Sequence, residues 1–236
     1  MTTDVFKSKV HESWLCLFQS PLGELYIQTL TNIVSDYPKK DNQGFNISKQ
    51  LGFKLLPKIQ DILHPFRCVE LNNLKVVMIF DQPFENTGCT GIPLELQKGS
   101  PRIRTETLNL VEDTYQLYKD DLFTTFNVNE WMSQGVLLIN ASMTREIVNP
   151  DLHISYWFKF TQLLINSIHE YNNNCLFVYI GENNYDFIFP KDAKVICTPS
   201  GVCKTQEERK LFHRYGLFEK INQELKTIDE SISINW

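Results

Sequence analysis

The sequence predicts an α/β fold built on a parallel sheet, and three observations predict it. Four short apolar runs are spread along the chain, helical periodicity fills the intervals between them, and a polar, turn-rich stretch follows each run. The runs are near-continuous in apolar residues rather than alternating, which is the pattern of strands covered on both faces.

The elements follow in chain order. Helical spacing occupies 13–37 (SWLCLFQSPLGELYIQTLTNIVSDY), interrupted by Pro21. LKVVMIF (74–80) reads as the first strand. TETLNLVEDTYQLYKD (105–120) places Leu108, Val111, Tyr115 and Leu117 or Tyr118 along one helical side. GVLLINA (135–141) is the second strand, and YWFKFTQLLINSIHEY (156–171) is a strongly amphipathic helix. CLFVYIG (175–181) and AKVICTP (193–199) are the third and fourth strands, and QEERKLFHRYGLFEKINQELKTI (206–228) holds one or two helices. Strand–helix alternation implies right-handed crossovers. No internal repeat or low-complexity linker breaks the pattern, so residues 1–236 are expected to form one domain.

Composition narrows the function classes. Of 236 residues, 42% are hydrophobic and 12% aromatic, enough for a sizeable core. The formal net charge is −5. A protein that holds DNA through its phosphates is usually basic over at least one face, so tight binding here needs a local basic patch. The six cysteines, Cys16, Cys68, Cys89, Cys175, Cys197 and Cys203, form no CxxC pair and no Cys/His cluster of zinc spacing. They read as thiols in a reducing compartment, cytoplasmic or nuclear, with no metal site expected. The N-terminal MTTDVFKSKVHESWL lacks the apolar region of a secretory signal, and no stretch approaches the ~20 apolar residues of a membrane span, so no membrane partner is expected.

Ligands of parallel sheets gather at the carboxyl ends of the strands. Those ends are FDQPFENTG, NASMTRE, GENNYD and TPSGVC. Around them stand Glu12-Ser13-Trp14 near the start, Glu130-Trp131-Met132-Ser133-Gln134-Gly135-Val136-Leu137-Leu138-Ile139-Asn140-Ala141 with Thr144, then Trp157, Phe160 and Thr161, and a terminal Ile234-Asn235-Trp236. In this order the segments resemble the uracil-DNA glycosylases, the family that includes the cellular and poxviral enzymes, over nearly the whole chain. The second strand is similar to its W-x-x-QGVLLLNA stretch, 157–161 to its W-x-x-FT helix, and the 80–85 turn to its GQDPYH turn. The resemblance implies a three-layer sandwich, with a central four-stranded parallel sheet flanked by helices. It implies hydrolysis of the bond between uracil and deoxyribose, on a base flipped out of the duplex, with no metal or cofactor.

That chemistry needs preorganised groups. The resembled family uses a carboxylate that orients water and offsets oxocarbenium-like charge, a donor to the uracil anion, an amide that reads the base edge and an aromatic ring that stacks on it. By position the carboxylate corresponds to Gln82, the anion-stabilising His to Thr198, the stacking ring to Leu94 and the thymine-excluding Tyr to Phe84. The reading amide is retained as Asn140. An amide has no net charge, so Gln82 can neither act as a base nor offset a cation. Thr198 can donate but is short and differently aimed. Phe80 replaces the first Gly of the family turn and crowds a close backbone approach. Two carboxylates are candidate substitutes: Asp81, if the turn shifts register, and Glu85, at the motif's final His. Alternation at a strand end counts against Asp81, and the main reading of both is as solvated turn carboxylates.

The DNA-holding loops also depart from the family pattern. In Thr198-Pro199-Ser200-Gly201-Val202-Cys203, Pro199 and Ser200 are expected at DNA and Val202 replaces a Leu wedge. Gly181-Glu182 stands at a Gly-Ser phosphate contact, and a carboxylate there repels phosphate. Lys98, Arg102 and Arg104 form a local basic cluster that reads as a phosphate grip or as a solvated loop.

Three functional expectations follow. The first is a catalytically impaired or inactive glycosylase-fold protein, a DNA-associated or protein-binding module whose partner belongs to replication or repair machinery. In poxviruses the family's protein also serves in DNA polymerase processivity, a role that needs no carboxylate. The second is an active glycosylase in base excision repair, using Asp81 or Glu85. The third is a protein-interaction partner without DNA affinity.

Overall fold

The structure is a computed structural model, described over residues 3–36, 55–83, 88–95, 127–146, 149–181, 189–198 and 205–236. Its helices are α1 (Thr3–Phe6), α2 (Leu15–Phe18), α3 (Pro21–Asp36), α4 (Pro65–Cys68), α5 (Val128–Ser133), α6 (Ile154–Tyr171), α7 (Gln206–Tyr215) and α8 (Leu217–Ile228). Its strands are β1 (Leu55–Leu56), β2 (Val76–Phe80), β3 (Val136–Asn140), β4 (Arg145–Glu146), β5 (Leu176–Ile180) and β6 (Lys194–Thr198). No described helix is long and apolar enough to cross a membrane. The helix expected over 105–120 lies outside the described residues.

The four apolar runs form the expected parallel sheet, in the order β3-β2-β5-β6. Every residue of β2, β3 and β5 is buried, as their unbroken apolar runs predict. The fourth run departs from that expectation. β6 is an edge strand with Cys197 exposed and Lys194 and Val195 half-buried, so its face carrying Val195 and Cys197 is only partly covered.

Pro21 interrupts the first periodic stretch by starting a helix rather than kinking one. It is the first residue of α3, where its missing N–H has no intrahelical acceptor to lose. The last periodic stretch is two helices, divided at Gly216, whose φ of 60° is left-handed. α7 begins with a capping box, the Thr205 side chain accepting from the Glu208 N–H and the Glu208 carboxylate from the Thr205 N–H.

The core fills with aromatic side chains. Trp14, Trp131, Trp157, Phe18, Phe66 and Phe160 are essentially excluded from solvent. Trp14 meets Phe66 edge-on at 5.0 Å between ring centroids, and its Nε1–H donates to the Val69 carbonyl at 2.7 Å.

The sheet order sets where a ligand can sit. From β2 the chain goes to β3 on one side, and from β5 to β6 on the other. Adjacent strands whose connections diverge open a crevice at their carboxyl ends. The turn that begins with Asp81 and Gln82 leaves β2 at that point.

Candidate functional site

Register across the sheet aligns the strand ends. Asn140 pairs with Phe80, Phe80 with Ile180, and Ile180 with Thr198. Residues paired across a sheet share a face, so this row presents an amide, two apolar side chains and a hydroxyl to one side. Asn140 is buried at 6% exposure and Thr198 at 4%. Three strand spacings separate their backbones, about 14 Å at the usual strand separation. The Thr198 hydroxyl is buried without a hydrogen-bond partner, and so short a side chain cannot cross that distance to a group held at Asn140.

Asp81 follows the row and lies on the other face. Its carboxylate accepts from the Tyr179 hydroxyl, and Tyr179 is one residue out of phase with Ile180. Gly181 makes this possible, because a Cβ there would collide with both the Tyr179 hydroxyl and the Asp81 carboxylate. The Asp81 carbonyl accepts from the Ser142 N–H at 2.9 Å, which ties the β2 turn to the β3 turn.

Gln82 turns toward the start of α6. Its Nε2 donates to Asp151 Oδ1 at 3.3 Å, while its Oε1 is buried with no partner. Pro83 follows, and its carbonyl accepts from Nη1 of Arg145 at 3.4 Å. Arg145 is only 7% exposed, so a guanidinium is buried directly behind the turn.

A cavity of about 10 Å³, the room of one water molecule, adjoins Asn140. Among the described residues it is lined by Pro83, Cys89, Gly91, Ile92, Pro93 and Asn140. The segment that walls it is held from behind. His64 Nδ1 donates to the Thr90 carbonyl at 2.9 Å, and the Asp61 carbonyl abuts the Cα of Gly91, whose φ is 88°. Leu94 is 4% exposed and left-handed, at φ 69°. A non-glycine residue there is strained by about 1–3 kcal/mol, which the surrounding packing must offset.

The retained motif residues on α6 hold the Asn140 turn in place. Thr161 Oγ1 donates to the Ala141 carbonyl at 2.6 Å, and Trp157 Nε1 donates to Thr144 Oγ1, also at 2.6 Å. The Thr144 hydroxyl also hydrogen-bonds Nδ1 of buried His153, 3.0 Å away. Burial pushes the His153 imidazole down to about 4, against a hydrogen bond with the Thr144 backbone that favours protonation.

The structure thus brings Asn140 and the Pro83 turn together at one cavity, sends Asp81 to the opposite face and leaves Thr198 three strands away. Phe84, Glu85, Arg102, Arg104, Pro199, Ser200 and Val202 lie outside the described residues. Asp151, Tyr179, Arg145 and His64 escaped the sequence reading. Asp151 is 69 positions from Gln82, and no local pattern links the two.

Comparison with known proteins adds to this geometry. No protein-family model matches the chain. A curated uracil-DNA glycosylase of Francisella tularensis subsp. tularensis is 30% identical over 137 residues, covering 56% of this chain and 61% of that protein. One from Bacteroides thetaiotaomicron is 26% identical over 175 residues, covering 73% of this chain and 74% of that protein. The chain thus spans 61% of the length of the first curated relatives it matches. Among solved structures, mimivirus uracil-DNA glycosylase superposes with a TM-score of 0.64 at 16% identity, covering 98% of both chains. A variant of the mimivirus protein in complex with UGI superposes with a TM-score of 0.74, covering 98% of this chain and 90% of that one. The chain has the uracil-DNA glycosylase fold and resembles that family in sequence.

Proposed function

We propose that this chain is a uracil-DNA glycosylase-fold protein with impaired or lost hydrolysis, acting as a DNA-associated or protein-binding module in replication or repair. One observation carries the reading. The row that shares a face with Asn140 is Asn140, Phe80, Ile180 and Thr198, and none of these side chains is ionisable. A reaction that builds positive charge on a sugar and negative charge on a leaving base draws most of its acceleration from fixed opposing charges. This row offers none. What remains intact is the packing around the site, including Asn140, Thr144, Trp157 and Thr161, which suits a scaffold kept for binding.

The test is a steady-state assay on uracil-containing single-stranded DNA. The wild-type chain should release no uracil above background. Release that disappears with Asn140→Ala overturns the proposal and favours an active glycosylase with a substitute carboxylate. Asp81 is poorly placed for that part, since its carboxylate is engaged by Tyr179 on the face opposite Asn140.

A further inference from the structure

We propose that Asp151 is the residue that disfavours a charge at position 82: an acid returned there holds its proton more tightly until Asp151 is neutralised. The inference rests on reading Gln82 as the place of a lost acid, and it names the residue that stabilises the loss.

The contact joins distant parts of the chain. Gln82 Nε2 donates to Asp151 Oδ1 at 3.3 Å. Only the amide nitrogen can make that bond, so Asp151 fixes which end of the Gln82 side chain faces it. The other end, Oε1, is buried and unpartnered, so the amide gains nothing by flipping. Asp151 is set from its own side as well. It lies in the first turn of a 3-10 segment, Pro150–His153, that leads into α6, and its carbonyl accepts from the Ile154 N–H.

A carboxylate at position 82 would set oxygen against oxygen at this separation. Asp151 is exposed and Gln82 half-buried, so solvent screens such a pair in part, but like charges this close still raise the pKa of one carboxyl. The other charged or titratable groups facing the pair do not remove the conflict. Asp81, the preceding residue, is turned to the other face and engaged by Tyr179. Glu146 is occupied by the Asn149 N–H at 2.8 Å. His153 is buried and held neutral beside Thr144. The Arg145 guanidinium, on the Pro83 carbonyl, is the nearby cation among the described residues. It eases the first ionisation and leaves the second opposed.

Gln82→Glu is the sharpest probe, because it exchanges the donor for an acceptor without changing shape. The experiment uses the full chain as wild type, Gln82→Glu, Asp151→Asn and the double variant, with Gln82→Asp alongside. Carboxyl carbons are titrated by NMR, and thermal unfolding is followed from about pH 5 to about pH 8. In Gln82→Glu one carboxyl should titrate about 1 unit above its ordinary value. A pKa raised in the folded state stabilises below the unfolded value and is lost as pH rises through the folded one. Relative to the wild type at each pH, the melting temperature of this variant should therefore fall by ~3 °C toward about pH 8. Adding Asp151→Asn should abolish both effects. Gln82→Asp should repeat them, and its folding only at the acid end is the same result in extreme form. A Gln82→Glu titration and melting profile that matches the wild type overturns the proposal, since solvent then screens the two acids from each other. Uracil release by the wild-type chain overturns instead the reading of Gln82 as a lost acid, and leaves this titration to be decided by itself.

Discussion

Asp81 and Gln82 are neighbours in sequence that part company at the end of β2. Asp81 points to the Tyr179 side of the sheet and Gln82 reaches across to the start of α6. A single residue step reverses the side of a strand, so adjacency in sequence does not let one acid stand in for the other. His153 supplies a prediction at this scale. Its imidazole is fully buried and depressed to about 4, against an ordinary 6.5. Above pH 6.5 both folded and unfolded chains carry it neutral, and its contribution is complete. As pH falls the unfolded chain takes the proton first, and stability drains away until the folded pKa is passed, a loss of about 3 kcal/mol. Urea unfolding between about pH 7 and about pH 4 should show this loss, and His153→Gln should flatten it. Residue identities at the site were legible in the sequence: the amides at Asn140 and Gln82 and the short hydroxyl at Thr198. Their partners were not, because Asp151 and Tyr179 reach the β2 turn through folding rather than through spacing.

At the scale of elements, two glycines show how differently a turn can depend on its backbone. Gly135 leads into β3 with φ 95°, and a Cβ there would strike the backbone carbonyl of Asn73. Gly216 separates α7 from α8 at φ 60°, with open space around it. Gly216→Ala should cost only the left-handed penalty, about 1 kcal/mol. Gly135→Ala should cost that and a displaced strand start as well, about 3 kcal/mol or more. Chemical denaturation of the two variants ranks them, and equal losses would show that the β3 turn gives way freely. The same scale explains the elements missed in the sequence. β1 and β4 are two residues each and pair antiparallel, Leu55 with Glu146 and Leu56 with Arg145. Two residues carry no period to detect. The four sheet strands were legible because each holds a run of three to five apolar residues between helical stretches, a pattern with few other uses.

Over the whole molecule, the chain's last residues are clasped to two distant elements. Gln134 Oε1 accepts from the Asn235 N–H at 2.8 Å and Gln134 Nε2 donates to the Asn235 carbonyl at 2.8 Å. Asn222 bonds Ile234 in the same two-way manner, at 2.9 Å each. Trp236 packs on Trp131 and Phe218, with ring centroids 5.2 and 4.6 Å away. Trp236→Ala should therefore cost about 3–5 kcal/mol in equilibrium unfolding, as for other buried aromatics. A loss under about 1 kcal/mol would mean that the clasp is made by the backbone bonds alone. By itself the sequence determined the fold class, the four parallel strands and the uncharged character of Gln82 and Thr198. Apolar runs, helical periods and side-chain chemistry are local properties, present before the chain folds. Only the tertiary structure decided strand order, the exposed edge at β6, the opposite facing of Asp81 and Asn140, and the meeting of Gln82 with Asp151. Those depend on which strand lies beside which and on the face each residue turns to, and both are set when the sheet closes against its helices.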